Sequence, residues 1–323
     1  MTSMELISQC LDEYNDKFYF CSNEDHIQRW ASQFNEPQFV IDEFAHILSK
    51  SFITRNAEEI FFSKVITSEG FLKDVGDLSD VTIVQWQQPG KSQDYYAKKL
   101  QALFLQTMKI LIPINDYSKG TFIYIDDFIF SGGTVRHDVL RNSYLINTKK
   151  IIFIFLGIHS SGESYFAKFL NKQNLNFNIW RVKTIDNYNS SINNSDVYWP
   201  VCWNQQNVQN NLQMSAYLKL LSASGYPPQW RYPNTNVGKN YLFSSSDNRI
   251  KIENEFLIAG LKIINQTNTN IQPLGYSPFI GFGFGATVIT YRNIPNNAPL
   301  CIWWGNPGNQ GGLGNWYPLM RRR

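Results

Sequence analysis

Two adjacent carboxylates, Asp126 and Asp127, close an apolar run, Thr121–Ile125, and three residues separate them from Ser131-Gly132-Gly133-Thr134. Each residue type has a definite chemistry in that order. N–H groups and the positive dipole end at a helix start attract a phosphate. Glycines let the backbone approach it closely, and Ser131 and Thr134 add hydroxyl donors. Carboxylates only accept, so Asp126 and Asp127 suit sugar hydroxyls or a hydrated Mg2+. Open α/β sheets bind ligands at the C-terminal ends of their strands. These residues alone therefore describe a site for a ribose 5-phosphate. A Gly-Gly turn opening a helix and two acids at a strand end each occur for structural reasons; their coincidence in one βα unit favours the anion site. A second loop, Gly90-Lys91-Ser92, stands between the apolar run Val81–Trp86 and a helix over 93–111. Lys91 there is either a phosphate contact or a solvated loop lysine. The four histidines form no HExxH or HxH pair, so no metal site is built from protein ligands alone.

Positioning these groups requires a sheet. Strand, loop and helix alternate three times: Val81–Trp86 with the helix over 93–111, Thr121–Ile125 with the helix from Ser131 to about Leu145, and Lys150–Ile158 with Glu163–Leu170 before a strand at Phe177–Val182. Such alternation predicts parallel strands joined by right-handed crossovers. The unbroken apolar character of residues 151–156 fits a strand covered on both faces. The motif strand should be central. Neighbouring strand positions face opposite ways, so the strand is expected to end near Asp126 if both acids are to reach one ligand. The chain thus divides into a helical N-terminal region (1–75), an α/β core (76–185) and an Asn- and Trp-rich α+β extension (186–323). The first region carries helical spacing at Met4–Tyr14, Asp25–Phe34, after Pro37, and at Ala57–Ile66, without a basic recognition helix. In the extension, helices are expected at Val208–Leu221 and Asn248–Asn265, and strands at Ala286–Tyr291 and Leu300–Trp304. Six of the nine tryptophans lie there, which a disordered tail would not carry.

Composition sets the outer bounds. A chain of 323 residues with 43% hydrophobic residues has ample material for a core and is not disordered. A net charge of +3 excludes a protein whose whole surface grips nucleic acid. Cys10, Cys21, Cys202 and Cys301 lack CxxC spacing, which points to reduced thiols and a cytoplasmic location. The first fourteen residues have no basic-then-apolar run, and no window approaches the ~18 apolar residues of a membrane span.

The stretch from Thr121 to Thr134 resembles the phosphoribosyl pyrophosphate motif of type I phosphoribosyltransferases. The resemblance narrows with Pro89-Gly90-Lys91-Ser92-Gln93 and a C-terminal segment comprising Pro295, Asn296, Asn297, Pro299, Leu300, Trp303, Trp304, Gly305, Trp316, Tyr317, Pro318, Leu319 and Arg321–Arg323. Together these are similar to the PRTase-CE group, phosphoribosyltransferase-like proteins of bacterial conflict and anti-phage loci, some retron-associated. The resemblance implies a type I phosphoribosyltransferase-like fold, a parallel sheet flanked by helices. It implies that Asp126 and Asp127 hold the ribose 2- and 3-hydroxyls, that Ser131, Gly132, Gly133 and Thr134 cradle the 5-phosphate, and that Gly90, Lys91 and Ser92 bind pyrophosphate. Mg2+ would be held through Asp126 and Asp127. The implied ligand is phosphoribosyl pyrophosphate or a nucleotide, and the implied partners are a reverse transcriptase and its DNA or RNA in a retron complex.

Two departures bear on activity. Many phosphoribosyltransferases place a polar residue, sometimes a catalytic Asp, just before the phosphate loop; here it is Phe130, which moves no proton. Only Leu111–Gly120 separates helix from motif strand, too short for the hairpin hood that excludes water. The expectation is a defence effector, toxic through nucleotide pools, that binds a phosphoribosyl ligand and could transfer or hydrolyse at the anomeric carbon. The alternative is a catalytically inactive nucleotide sensor or scaffold subunit.

Overall fold

The computed structural model describes residues 1–14, 22–146, 149–186, 195–225, 228–231, 242–267, 269–278, 281–309 and 311–322. Cys21, the Asn-rich stretch 187–194 and Arg323 lie outside the described residues. In chain order the elements are α1 (Ser3–Glu13), α2 (Glu24–Ala31), α3 (Pro37–Ser51), β1 (Phe52–Ile53), α4 (Arg55–Thr67), α5 (Glu69–Val75), β2 (Val81–Val84), α6 (Ser92–Met108), β3 (Thr121–Ile129), α7 (Gly133–Arg141), α8 (Ser143–Ile146), β4 (Lys150–His159), α9 (Ser160–Lys172), β5 (Asn176–Ile185), α10 (Gln205–Asn210), α11 (Leu212–Ala223), α12 (Ser246–Gln266), β6 (Ile289–Thr290) and α13 (Leu300–Trp303).

The contacts group these elements into two compact units: residues 56–185, and residues 1–55 together with 186–323. The three segments read along the sequence are thus regrouped, and residues 56–75 go with the sheet. The reason is local. Glu58 of α4, fully buried, accepts from the Tyr96 hydroxyl at 2.9 Å and pairs with Lys99 at 2.7 Å, both on α6. On α5, Phe71 packs edge-on against Trp180 of β5.

In the sheet unit, β2-β3-β4-β5 is a four-stranded sheet, parallel throughout. The motif strand β3 is internal, with Thr121 opposite Lys150 and Asp126 opposite Phe155 on β4. Aromatic and branched residues fill one face beneath α7 and α9: Val84, Phe122, Tyr124, Phe153 and Phe155 pack with Val135, Val139 and Phe166. Such runs suit strands buried on both faces. Residues 109–120 form no hairpin. They lie along the β2 edge, where Ile114 bridges Ile83 in parallel and Pro113 O accepts from Ile83 N at 2.9 Å.

In the other unit, the two-stranded parallel pair β1-β6 joins the early and late segments. Its aromatic core draws Trp30, Phe34 and Phe44 from α2, the turn after it and α3, with Phe256 of α12 and Trp316. The indole N–H groups of Trp30 and Trp316 both donate to Cys301 O, at 2.8 and 2.9 Å. Glu253 is buried between two arginines, Arg249 at 2.9 Å and Arg231 at 2.6 Å. The strand expected at Leu300–Trp304 is instead the helical turn α13, and of Ala286–Tyr291 only Ile289–Thr290 is strand. A four-residue apolar run fits either form by pattern alone; here Pro299 precedes it and Trp304 N closes on Leu300 O at 2.8 Å.

Candidate functional site

The motif strand does not end at Asp126. Phe128 and Ile129 are apolar and continue the ladder opposite Gly157 and Ile158. The register skips Asp127: its backbone N–H turns to Asp126 Oδ1 at 2.9 Å, and the Phe128 N–H turns to Asp127 Oδ1 at 2.7 Å. Asp126 shares the side of Tyr124, both meeting Gln87 Nε2, and is 8% exposed, while Asp127 is half-buried. The expectation that the strand ends near Asp126 is corrected: β3 runs on to Ile129, with a local interruption of the ladder at Asp127, past which Ile129 joins Phe122 and Tyr124 in one core cluster.

Asp126 is held by three donors. Ser92 Oγ reaches Oδ1 at 2.6 Å, the Asp127 backbone N–H reaches the same oxygen at 2.9 Å, and Gln87 Nε2 reaches Oδ2 at 2.8 Å. The loop after β2 and the motif strand are thereby joined side chain to side chain. Burial pushes the Asp126 carboxyl above its ordinary range, Asp138 adds to that push, and the three hydrogen bonds oppose it. Tyr124, whose hydroxyl donates to Asp138 Oδ2 at 2.9 Å, is raised well above the usual phenol range, first by burial and then by the two carboxylates.

The 87–92 loop is fixed from within. Gln93, fully buried, accepts from the backbone N–H groups of Trp86 and Gln87 at 2.7 and 2.8 Å. Gly90 has φ +85°, a left-handed conformation that favours glycine, and its N–H meets Asp94 Oδ2 at 3.0 Å. Lys91 caps α6 through its backbone, and the residue is exposed.

The phosphate-loop candidates sit where strand passes into helix. Gly132 is the N-cap of α7 with φ +73°, and Gly133 and Thr134 are exposed at the helix start. The first amide closed within the helix is that of Arg136, on Gly132 O at 3.0 Å. The amides of Gly133, Thr134 and Val135 thus lack intrahelical acceptors, and Ser131 Oγ lies 3.4 Å from Gly133 N. Phe130 is buried, its ring centroid 6.0 Å from that of Phe128. A Cβ on Gly162 of α9 would fall 2.0 Å from Phe130 O, so only glycine lets α9 support the loop at that distance.

Four residues of this cluster are not site candidates by sequence alone: Gln87, Gln93, Tyr124 and Asp138. Asp138 left a signal, a charge on the α7 face that carries Val135 and Val139. Among the described residues no group of three or more His, Cys, Asp or Glu is arranged to hold a metal ion. Among the described residues, too, no helix is long and apolar enough to cross a membrane.

Comparison with known families matches residues 27–322 to the PRTase-CE family model. No curated protein matches this chain.

Proposed function

The chain belongs to the PRTase-CE family, a phosphoribosyltransferase-like group, and from that membership we propose that it binds a phosphoribosyl ligand at the β3–α7 loop. Phosphoribosyl pyrophosphate and nucleotides are the candidate ligands. The observation that carries the reading is the direct bond from Ser92 to Asp126, which joins the Gly90-Lys91-Ser92 loop to the acid strand that leads into Ser131–Thr134. In this reading the amides of Gly133 and Thr134, with the hydroxyls of Ser131 and Thr134, receive the 5-phosphate. Asp127 accepts the ribose hydroxyls, and Lys91 meets the pyrophosphate as a point charge.

The donor set fits Mg2+ only in its usual hydrated form, held by one or two carboxylates and the ligand's own phosphates. Asp127 would hold it with the pyrophosphate, since Asp126 already accepts from three chain donors. The ion would supply charge neutralisation of the leaving pyrophosphate. With no hairpin over residues 109–120, water has access to the anomeric carbon, and the chemistry favoured is hydrolysis there rather than transfer to a base.

The cellular role proposed is that of an effector in bacterial anti-phage defence, of retron type, partnered by a reverse transcriptase and its nucleic acid. It is supported by the family membership and by the low net charge of +3, which suits binding through a partner rather than to bare nucleic acid. A second reading, a nucleotide sensor without turnover, is favoured by Phe130, a buried apolar side chain where many phosphoribosyltransferases place a polar residue, sometimes a catalytic Asp. Incubation of the pure chain with phosphoribosyl pyrophosphate, nucleotides or NAD, followed by chromatography for free base, pyrophosphate and ribose 5-phosphate, separates the two. Product release abolished by Asp127→Asn supports the effector enzyme. Binding without product supports the sensor.

A further inference from the structure

We infer that Asp126 is a positioning residue: with Gln87, Ser92 and Asp138 it braces the 87–92 loop against the motif strand. This rests on the proposed reading of the site and divides labour within it. The argument begins with acceptor capacity. Both oxygens of Asp126 already take donors from the chain, Oδ1 from Ser92 Oγ and the Asp127 amide, Oδ2 from Gln87. An acceptor committed in this way and 8% exposed is built to hold protein, not to await a hydroxyl.

Gln87 is the hub. Its Nε2 lies 2.8 Å from Asp126 Oδ2, 3.2 Å from Asp138 Oδ2 and 3.3 Å from Tyr124 Oη. Two amide hydrogens are thus shared among three acceptors. The backbone N–H of Gln87 is meanwhile held by Gln93 at 2.8 Å. Backbone and side chain are both anchored, one to α6 and the other to β3 and α7. The loop that would meet pyrophosphate therefore owes its position to two carboxylates beneath it. The groups facing Asp126 are Tyr124 and Asp127 from β3, Asp138 from α7, and Ser92 and Gln87 from the loop; none of these is a cation, so the neutral carboxamide and hydroxyl donors do the holding.

A brace and a ligand contact respond differently to ligands that do or do not reach the loop. Ribose 5-phosphate carries the sugar and the phosphate; phosphoribosyl pyrophosphate adds the group that meets residues 90–92. The test is calorimetric titration of the full chain with both ligands, read as the ratio of the two affinities. Gln87→Leu keeps the size and removes both hydrogens, and Asp126→Asn turns one acceptor into a donor facing Gln87. Each is expected to shrink the preference for phosphoribosyl pyrophosphate by about tenfold, the loss of one hydrogen bond to a charged group. Asp127→Asn should weaken both ligands by a similar factor and leave the ratio within about twofold. Ser92→Ala, which removes one bond at the loop's far end, should move the ratio in the same direction and carries the test if Gln87→Leu does not fold. An unchanged ratio in the brace variants, with both ligands still bound, overturns the inference and leaves the site reading standing. A wild-type chain that binds neither ligand overturns both.

Discussion

At the scale of single residues, Asp126 is a buried titratable group whose charged form is disfavoured. Burial holds its carboxyl above the ordinary aspartate value of 3.8. The folded chain therefore keeps this proton at pH values where the unfolded chain has lost it. As pH rises from the ordinary range through the raised value, the stability that Asp126 contributes is lost. Asp126→Asn cannot ionise, so its melting temperature relative to wild type should climb with pH across that interval. Parallel melting curves from acid to neutral pH would contradict this. Asp127 is predicted to act on the ligand instead: Asp127→Asn should cost about 1.5–3 kcal/mol of ligand affinity, the range for a charged hydrogen bond, and little in melting temperature, as calorimetry and thermal unfolding can measure. Neither role follows from two adjacent letters. Asp-Asp in a sequence looks symmetric, and it is the folded loop that gives the pair different partners, Ser92 and Gln87 for Asp126 and the Phe128 amide for Asp127.

At the scale of elements, the phosphate loop depends on the fit between β3, α7 and α9. Gly162 is where that fit is tightest, because a methyl group there would overlap Phe130 O at 2.0 Å. Gly162→Ala should therefore destabilise the chain by about 1–3 kcal/mol, the usual cost of overpacking, and should weaken phosphate binding as the loop shifts. Chemical denaturation and titration with inorganic phosphate check the two halves; a variant normal in both would mean that the loop does not need this support. The alternation of apolar runs and loops made the parallel sheet legible in the sequence, since residues 151–156 admit no polar face. The glycines and hydroxyls of Ser131–Thr134 were equally legible, because each type has few uses at a helix start. The Gln87–Asp138 link was not legible: it spans 51 positions, and a glutamine in a Gln-Gln-Pro-Gly loop looks solvated. Helical turn α13 reads as strand by pattern, because four apolar residues have no period to distinguish the two.

At the scale of the whole chain, the division into units follows distant contacts rather than sequence order. Residues 1–55 belong with 186–323, tied by pairs such as Trp30 with Cys301, His26 with Leu319, and Tyr14 with Arg321. Local patterning sees helices in both segments and cannot see that they share one core. Deleting residues 1–55 should strip Trp30, Phe34 and Phe44 from around Phe256 and collapse the ordered environment of Trp316. Near-ultraviolet circular dichroism should then lose most of its tryptophan fine structure. A truncated chain with the full-length spectrum would contradict the assignment.

The central claim is that a phosphoribosyl ligand rests on the amides at the start of α7. Gly133 is the place to test it, because its substitution need not disturb the fold. It is exposed, its φ is not among the positive ones, and an added Cβ would meet only Ser131 Oγ, at 3.5 Å. A valine there projects into the space that the phosphate would take. Calorimetric titration of wild type and Gly133→Val with ribose 5-phosphate, alongside a melting curve for each, is the decisive measurement. Saturable binding by wild type, loss of at least about tenfold in affinity for the variant, and nearly equal melting temperatures are the predicted result. Equal affinity in the two proteins would contradict the site.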